Sequence, residues 1–172
     1  MSRAFTKESD DAGTELPERA LSVHANYVTL HGLQQLKLQL ETAEKKRSQL
    51  LVVKDGAGYV EPLAKQIAKQ KIAMLERDMR YLSARQQSAI LSDNALLQAD
   101  TVLFGATVNV EDDAGIMQEF TIVGEDEADI AANKVSWVSP LAKALLGHKI
   151  GETVIWHRPA GHLNLEIISI HY

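Results

Sequence analysis

The chain contains no cysteine, few aromatic residues and no long hydrophobic run. The absence of cysteine among 172 residues excludes a disulfide framework, a thiolate nucleophile and a cysteine-ligated metal site. No apolar run approaches the ~20 residues that a membrane-spanning helix needs. The first residues, MSRAFTKESDDAG, carry acids and lack the apolar core of a secretory signal. We therefore expect a cytoplasmic protein that does not associate with a membrane.

The composition is that of a globular protein, but its charge is unevenly distributed. Apolar residues make up 45% and charged residues 24% of the chain, and the formal net charge is −5, a balance typical of soluble domains. Residues 1–27 carry a net charge of −2, residues 28–93 carry +4 and residues 94–172 carry −7. An acidic chain argues against strong independent binding to DNA. The difference in net charge between residues 28–93 and residues 94–172 indicates two parts of the chain with different surroundings.

Three segments follow from the pattern of residues. Residues 1–27 are rich in Ser, Asp, Glu and Thr and have few large apolar side chains, which predicts a flexible N-terminal tail. Residues 28–93 show helical periodicity, and residues 94–172 show short β-branched and aromatic runs. We expect an α+β fold, in which a helical coiled-coil hairpin precedes a β-sheet domain with one short helix.

The helical segment contains two apolar seams separated by a glycine-containing turn. Thr29 is a suitable N-cap for the first helix, and Pro62 suits the first position of the second. Asp55-Gly56-Ala57-Gly58 favours a turn between them. Two seamed helices joined this closely bury their stripes by folding into an antiparallel hairpin. The first seam comprises Leu33, Leu36, Leu40, Ala43, Arg47, Leu50 and Lys54, and the second comprises Ala68, Ile72, Leu75, Met79, Leu82, Gln86 and Ala89.

The remaining segment predicts a five-stranded antiparallel sheet crossed by a short helix. The sequence Asp112-Asp113-Ala114-Gly115 is typical of a hairpin turn and lies between the first two strands. Ser139 would cap the helix, Pro140 would begin it and Gly147 would end it. The strand-forming runs lie at residues 107–110, 120–123, 135–138, 154–156 and 163–170.

Several stretches of the β segment match one family in order and nearly without gaps. They are Phe104-Gly105-Ala106-Thr107-Val108, Ile122–Asp129 (IVGEDEAD), Ser136–Gly147 (SWVSPLAKALLG) and Pro159-Ala160-Gly161. Together with the preceding hairpin, entered at Thr29-Leu30-His31-Gly32-Leu33, they resemble the Gre family of bacterial transcription elongation factors. The resemblance covers residues 27–172 and is strongest over the last 70 or so.

The resemblance implies a function as well as a fold. Gre factors have an FKBP-like C-terminal domain that docks on the rim of the RNA polymerase secondary channel, and their coiled coil enters the channel. In members that promote cleavage, a tip motif Gly-Asp-x-x-Glu-Asn supplies two carboxylates that help to hold a second Mg²⁺, and the polymerase then cuts backtracked RNA. By this resemblance the chain is a monomeric, non-catalytic factor with no cofactor of its own, and any Mg²⁺ is shared with the polymerase active centre.

The tip is where this sequence departs from the family pattern. Glu61 matches the glutamate of the motif, but Gly58 replaces its aspartate and Pro62 replaces its asparagine. The hairpin is also about five residues shorter than a typical Gre arm, which is roughly one turn less on each side. Asp55 is the other acid near the turn. Asp55 and Glu61 are therefore the candidate metal-positioning pair, and their alternative roles are a turn residue and a favourable charge at a helix N-terminus.

The departures at the tip leave two functions open for a Gre-type factor. One is stimulation of transcript cleavage, and the other is polymerase binding without cleavage, as in the short-armed Rnk proteins or in an inhibitory factor. Prolyl isomerisation by an FKBP-like domain is a further alternative. It is disfavoured because such a site needs an aromatic-lined pocket and the chain is only 5% aromatic.

Two further groups of residues are candidates for binding. The basic residues of the hairpin are predicted to contact nascent RNA or acidic channel walls, with a solvated helix face as the alternative; they are Arg47, Lys54, Lys65, Lys69 and Lys71. The resemblance places the short helix at the polymerase rim, with helix capping and packing as the alternative; its residues are Ser139, Pro140, Leu141 and Leu145. The six histidines show no metal-ligand spacing, so no metal site of the chain's own is expected.

Overall fold

The structure is a computed structural model that describes residues 16–56, 60–92 and 100–172. In chain order its elements are β1 (Tyr27–Val28), α1 (Leu30–Asp55), α2 (Pro62–Gln87), β2 (Ile90–Leu91), β3 (Thr107–Asp112), β4 (Met117–Val123), β5 (Lys134–Ser136), α3 (Pro140–Leu145), β6 (Thr153–Arg158) and β7 (Gly161–His171). None of the described helices is both long and apolar enough to span a membrane. The elements confirm the α+β fold, with two long helices ahead of a β-sheet domain.

The described residues group into two compact units. One unit comprises Glu41–Tyr81 together with residues 16–20, and the other comprises Leu21–Leu40 and Leu82–Tyr172. The first unit therefore holds the turn-proximal parts of α1 and α2, and the second holds their remaining turns with the sheet. Of the proposed tail, residues 1–15 lie outside the described part of the chain, and residues 16–27 are described.

The two helices begin and end where the sequence indicates. Each is 26 residues long. The hydroxyl of Thr29 accepts a hydrogen bond from the backbone N–H of Gly32 at 3.0 Å, which confirms Thr29 as the N-cap of α1. The buried hydrophobic side chains on both helices belong to the predicted seams; they are Leu36, Ala43, Ala68, Ile72 and Leu82. The seam becomes polar near the turn, where Lys54 and Lys65 are exposed.

The second unit contains a five-stranded sheet in the order β5-β4-β3-β7-β6. Every predicted strand is present, but the expectation of a purely antiparallel sheet is corrected, because β5 runs parallel to β4. The link over residues 124–133 folds through two short 3-10 turns. This link returns the chain to the beginning of the β4–β5 pairing, so the next strand runs in the same direction as β4. The β1–β2 pair is a separate two-stranded parallel sheet.

One apolar core lies between the sheet and α3. It is built from alternating strand residues and the inner face of the helix, and its fully or nearly fully buried members include Val108, Val110, Ile122, Leu141, Leu145, Val154, Leu165 and Ile167. Phe104, Phe120, Trp137 and Trp156 pack against this cluster while remaining partly exposed. At roughly 25 cal/mol for each Å² of apolar surface removed from water, such burial is the main stabilising contribution.

Candidate functional site

The two candidate tip acids lie on either side of the hairpin turn. Asp55 is the last residue of α1, and its carboxylate is 4.0 Å from the ammonium of neighbouring Lys54. Glu61 is exposed directly before Pro62, and its carbonyl accepts a hydrogen bond from the backbone N–H of Lys65 at 3.2 Å. Gly58, which lies where the family has an aspartate, is outside the described residues.

The two tip acids offer carboxylate oxygens but do not make a complete cation site among the described residues. Carboxylate oxygens are ligands that Mg²⁺ prefers, but its octahedral shell needs about six oxygens. Among the described residues, no group of three or more His, Cys, Asp or Glu side chains is placed to hold a metal ion. Two exposed acids would supply only part of a shell, and the remaining ligands would have to come from water and a partner.

The basic residues of the hairpin differ in their ion pairs with acidic side chains and in their exposure. Nε of Arg47 is 2.7 Å from Oε1 of Glu76, so this guanidinium joins α1 to α2. Lys54, Lys65, Lys69 and Lys71 are exposed on the helices. The exposed ammonium groups of Lys65 and Lys71 are thus more accessible to a polyanion than the guanidinium of Arg47, whereas that of Lys54 lies 4.0 Å from Asp55.

The residues of α3 divide into a cap, an exposed side and a buried side. Oγ of Ser139 accepts from the backbone N–H of Ala142 at 3.1 Å, and Pro140 is the exposed first residue of the helix. Leu141 and Leu145 are only 3% and 0% exposed, so their side chains pack the core of the unit. Direct partner contact by α3 would have to come from Ser139, Pro140 and other exposed residues.

A cluster of buried polar groups, which the sequence did not reveal, lies at the start of α1. Glu127 belongs to the short 3-10 turn Glu125–Glu127 and is 7% exposed. Its carboxylate accepts hydrogen bonds from the hydroxyl of Thr29 at 2.5 Å and from the backbone N–H of Thr29 at 3.1 Å. A negative charge at this position is favourable because the N-terminus of a helix has partial positive charge. Glu127 therefore fastens the first turn of α1 to the loop after β4.

Gly32 allows this contact because it has no side chain. Gly32 lies in the first turn of α1, and a Cβ there would collide with the carboxyl group of Glu127. The nearby Gly124 also approaches backbone, since an added Cβ would be 2.5 Å from the carbonyl oxygen of Tyr27. Both glycines thus permit close approach between the start of α1 and the loop that carries Glu127.

The end of α2 is held by the same loop through Arg85. The side chain of Arg85 is only 3% exposed; its Nε is 2.6 Å from Oδ2 of Asp126, and its Nη2 is 3.6 Å from Oε2 of Glu125. The carbonyl of Arg85 accepts a hydrogen bond from Nδ2 of Asn26 at 2.6 Å. We call Asn26, Thr29, Arg85, Glu125, Asp126 and Glu127 the base cluster, because it holds the first turn of α1 and the last turns of α2.

The base cluster has a structural rather than a catalytic arrangement. The carboxylate of Glu127 is occupied by Thr29, and that of Asp126 is occupied by Arg85. The three consecutive acids at residues 125–127 were visible in the sequence as part of a family motif without a role. Gly32 was visible only as part of the family-like entry Thr29–Leu33 without a role, and Arg85 carried no sequence signal because it is compatible with an ordinary helix.

Two ionisable groups elsewhere in this unit have shifted pKa values. The backbone N–H of Lys149 and the side chain of His148 lower the pKa of Glu152 below its usual range. Burial raises the pKa of Tyr172, partly opposed by the hydrogen bond that its oxygen accepts from the N–H of Leu103. The hydroxyl of Tyr172 also donates to the carbonyl of Thr101 at 2.6 Å, so the neutral phenol ties the C-terminus to the segment before β3.

Comparisons with known proteins agree with the motifs of the β domain. Among solved structures, GreA factor homolog 1 (Gfh1) of Thermus thermophilus is 23% identical, with a TM-score of 0.40, and the match covers 87% of this chain and 100% of that chain. The family model described as transcription elongation factor GreA/GreB, C-terminal, matches residues 97–172. Transcription elongation factor GreB of Neisseria meningitidis is 35% identical over 153 residues, which cover 86% of this chain and 94% of that protein. Transcription elongation factor GreA of Solidesulfovibrio magneticus is 31% identical over 154 residues, with 83% and 90% covered. The chain belongs to the GreA/GreB family of transcription elongation factors.

Proposed function

We propose that the chain is a cytoplasmic transcription elongation factor that binds RNA polymerase at the secondary channel. The β domain docks on the channel rim, and the helical hairpin enters the channel. Membership of the GreA/GreB family carries this proposal, and the hairpin supports it. Its two 26-residue helices are each about 39 Å long at 1.5 Å per residue, and the seam residues bury their facing stripes.

The absence of cysteine offers a direct test of insertion. A Val60→Cys variant carries one thiol beside the turn, to which an iron chelate that generates hydroxyl radicals can be attached. We expect the tethered iron to cleave polymerase segments around the active centre. An Asp113→Cys variant, modified at the exposed turn between β3 and β4, is the matched control and should cleave only outer segments. Identical cleavage patterns, or none despite binding, would contradict insertion of the hairpin.

The docking surface that we propose on α3 is its exposed end. Pro140 is exposed, and the hydroxyl of Ser139 can still donate a hydrogen bond while it accepts one from Ala142. A Pro140→Asp variant should weaken binding to the core polymerase, measured by fluorescence anisotropy, because it places a charge at the contact. Asp is acceptable in the first turn of a helix, so the fold should be retained. Unchanged affinity would remove α3 from the interface.

Stimulation of transcript cleavage is a separate question from polymerase binding. We propose that if the chain stimulates cleavage, the polymerase catalyses the reaction. In this scheme Asp55 and Glu61 would contribute oxygens to a Mg²⁺ that the polymerase active centre shares. The assay is cleavage of RNA in backtracked complexes with the wild-type factor, Asp55→Ala and Glu61→Ala. Glu44→Ala, another exposed acid of α1, is the matched control. Loss of cleavage with either tip variant alone supports the metal role, and full cleavage by both variants excludes it.

Binding without cleavage is the second candidate function, and the tip favours it. Gly58 and Pro62 replace two residues of the family motif, so the tip lacks one of the two motif acids and the motif asparagine. A factor of this kind would occupy the channel and compete with cleavage-promoting factors. No cleavage by the wild-type chain, combined with inhibition of a cleavage-competent relative, is the expected outcome for this candidate.

Contact with nascent RNA is a further part of the proposal. The exposed lysines of the hairpin offer positive charge that can neutralise phosphates. Cross-linking from Lys65 or Lys69 to radiolabelled RNA in a stalled complex would detect this contact. The same cross-linker placed at Lys143, an exposed lysine of α3, serves as the control and should give no RNA adduct.

A further inference from the structure

Two histidines lie side by side at the end of the hairpin formed by β6 and β7. The antiparallel register sets His157 directly opposite His162, next to the turn at Pro159-Ala160. Residues that face each other on one side of an antiparallel pair have Cβ atoms about 4.5–5.5 Å apart. The fold therefore brings two imidazole rings together on the same side of the sheet. We call His157 and His162 the histidine pair.

The two rings of the histidine pair are close enough to share one hydrogen. Nδ1 of His157 is 2.7 Å from Nδ1 of His162, and the ring centroids are 4.4 Å apart with their planes at 88°. A hydrogen bond between two imidazole nitrogens needs one N–H donor and one acceptor, so one Nδ1 carries a hydrogen and the other offers its lone pair. Both residues are exposed. The two Nδ1 atoms are thus directed towards each other at a position that solvent reaches.

The separation of these nitrogens suits a bidentate metal ligand. Neutral imidazole nitrogen binds Cu²⁺, Ni²⁺ and Zn²⁺, with bonds of about 2.0–2.1 Å. Two such bonds at a right angle, as in square-planar or octahedral coordination, place the nitrogen atoms about 2.9 Å apart, whereas a tetrahedral angle places them about 3.3 Å apart. The observed 2.7 Å is closer to the right-angle geometry, and small rotations of two exposed rings supply the difference.

The charged groups around the histidine pair favour a cation. Oδ2 of the exposed Asp113 accepts a hydrogen bond from Nδ2 of Asn164 at 2.9 Å. Asn164 is two residues after His162 and therefore shares its side of β7. Arg158 alternates with His157 to the other side of β6, where its Cζ is 5.2 Å from the ring centroid of Trp156. A carboxylate thus lies on the side of the sheet that carries the histidine pair, and the neighbouring guanidinium lies on the opposite side.

We propose that His157 and His162 chelate one divalent transition-metal ion of the Cu²⁺ or Ni²⁺ type. Nδ1 of each ring is a ligand. The ring that carried its hydrogen on Nδ1 adopts the tautomer with the hydrogen on Nε2, so both rings stay neutral. Among the described residues, no group of three or more His, Cys, Asp or Glu side chains is placed to hold a metal ion. The histidine pair therefore supplies two ligands, and water completes the coordination shell.

This site was not expected from the spacing of histidines along the chain. Neighbouring side chains on one helix face are three or four residues apart, whereas His157 and His162 are five apart and meet through the strand register. The nitrogen ligands also distinguish the site from Asp55 and Glu61, whose carboxylate oxygens suit Mg²⁺. Metal binding by the histidine pair is therefore independent of the proposed binding to polymerase.

Titration of the full-length chain with Ni²⁺ in a calorimeter tests the proposal. We expect the wild type to bind one Ni²⁺ per chain. His157→Thr and His162→Thr each leave one imidazole in a residue context that still favours a strand. Each should bind Ni²⁺ at least about tenfold more weakly, because the second ligand no longer has a high effective concentration. His31→Ala, which removes an exposed histidine of α1, is the matched control and should bind as the wild type does. Equal affinities of the wild type and both threonine variants would overturn the proposal.

The electron paramagnetic resonance spectrum of bound Cu²⁺ identifies the ligands in the wild-type chain itself. It should show two imidazole nitrogens for the wild type and for His31→Ala, and one for each threonine variant. Circular dichroism without metal checks that the variants are folded. Ni²⁺ should raise the Tm of the wild type but not that of the threonine variants, because a ligand that binds only the folded state stabilises it. A wild-type spectrum with a single imidazole nitrogen, or one Ni²⁺ bound for every two chains, would also overturn the proposal.

Discussion

Replacement of Gly32 by alanine tests how the base cluster holds α1. In an exposed helical turn this change stabilises a protein by about 0.5–1 kcal/mol, because alanine loses less conformational entropy on folding. Here the new Cβ would collide with the carboxyl group of Glu127 and displace it from Thr29. The carboxylate would lose hydrogen bonds to the N–H and the hydroxyl of Thr29, each contributing about 1.5 kcal/mol. After the gain of about 0.5–1 kcal/mol from alanine is subtracted, we expect a net destabilisation of about 2–2.5 kcal/mol.

The sign of the effect should depend on the residue at position 127. In a Glu127→Ala background nothing remains to be displaced, so Gly32→Ala should stabilise the protein by about 0.5–1 kcal/mol. The coupling energy between the two positions would then be about 3 kcal/mol, well above the value for independent sites. Few substitutions destabilise a protein in one background and stabilise it in another. A double-mutant cycle of Gly32→Ala with Glu127→Ala therefore isolates this contact.

Urea unfolding followed by tryptophan fluorescence provides the measurement. Trp137 and Trp156 both belong to the unit that contains the base cluster, so the signal reports on the unit in question. Four chains complete the cycle: wild type, each single variant and the double variant. A Gly32→Ala effect of the same sign and size in both backgrounds would refute the proposed packing of Glu127 on Gly32.

Three further predictions concern the same unit. Arg85→Met leaves the acid Asp126 without its buried partner and should destabilise the unit by about 2–4 kcal/mol; an unchanged urea midpoint would contradict the role of this ion pair. Ser139→Ala should cost about 1 kcal/mol and Ser139→Asn much less, because asparagine also caps helices; equal losses would exclude capping as the cause. Burial raises the pKa of Tyr172, so its contribution to stability is complete below the unfolded pKa of about 10 and falls as the pH rises through the folded value. Thermal unfolding should show less alkaline loss for Tyr172→Phe, and parallel curves for the two proteins would refute this.

The sequence was most informative where local chemistry decides the structure. The N-cap at Thr29, the helix start at Pro62 and the cap at Ser139 are each fixed by the hydrogen-bonding needs of a helix end. Gly147 follows α3 with a φ of +84°, a conformation that glycine adopts without strain. The helical seams and the strand positions also followed from the sequence. Burial selects one side of each element, and this selection is visible as a periodic pattern of apolar residues.

The sequence was least informative where the outcome depends on distant residues. The parallel pairing of β5 with β4 depends on how residues 124–133 fold back, which strand patterns do not encode. Leu141 and Leu145 were candidates for partner contact because the family resemblance places α3 at the polymerase rim, and a helix pattern alone does not say what covers its apolar side. The structure covers that side with the sheet of the chain itself.

The sequence by itself determined the kinds of element, their ends and the family to which the chain belongs. Each of these depends on neighbouring residues or on short ordered motifs. The tertiary structure alone decided the base cluster, in which Gly32, Arg85 and Glu127 come from three separated segments. It also decided which side of α3 is buried. Such contacts depend on the positions of backbones that are far apart in the chain, and residue identity becomes informative only when those backbones have been brought together.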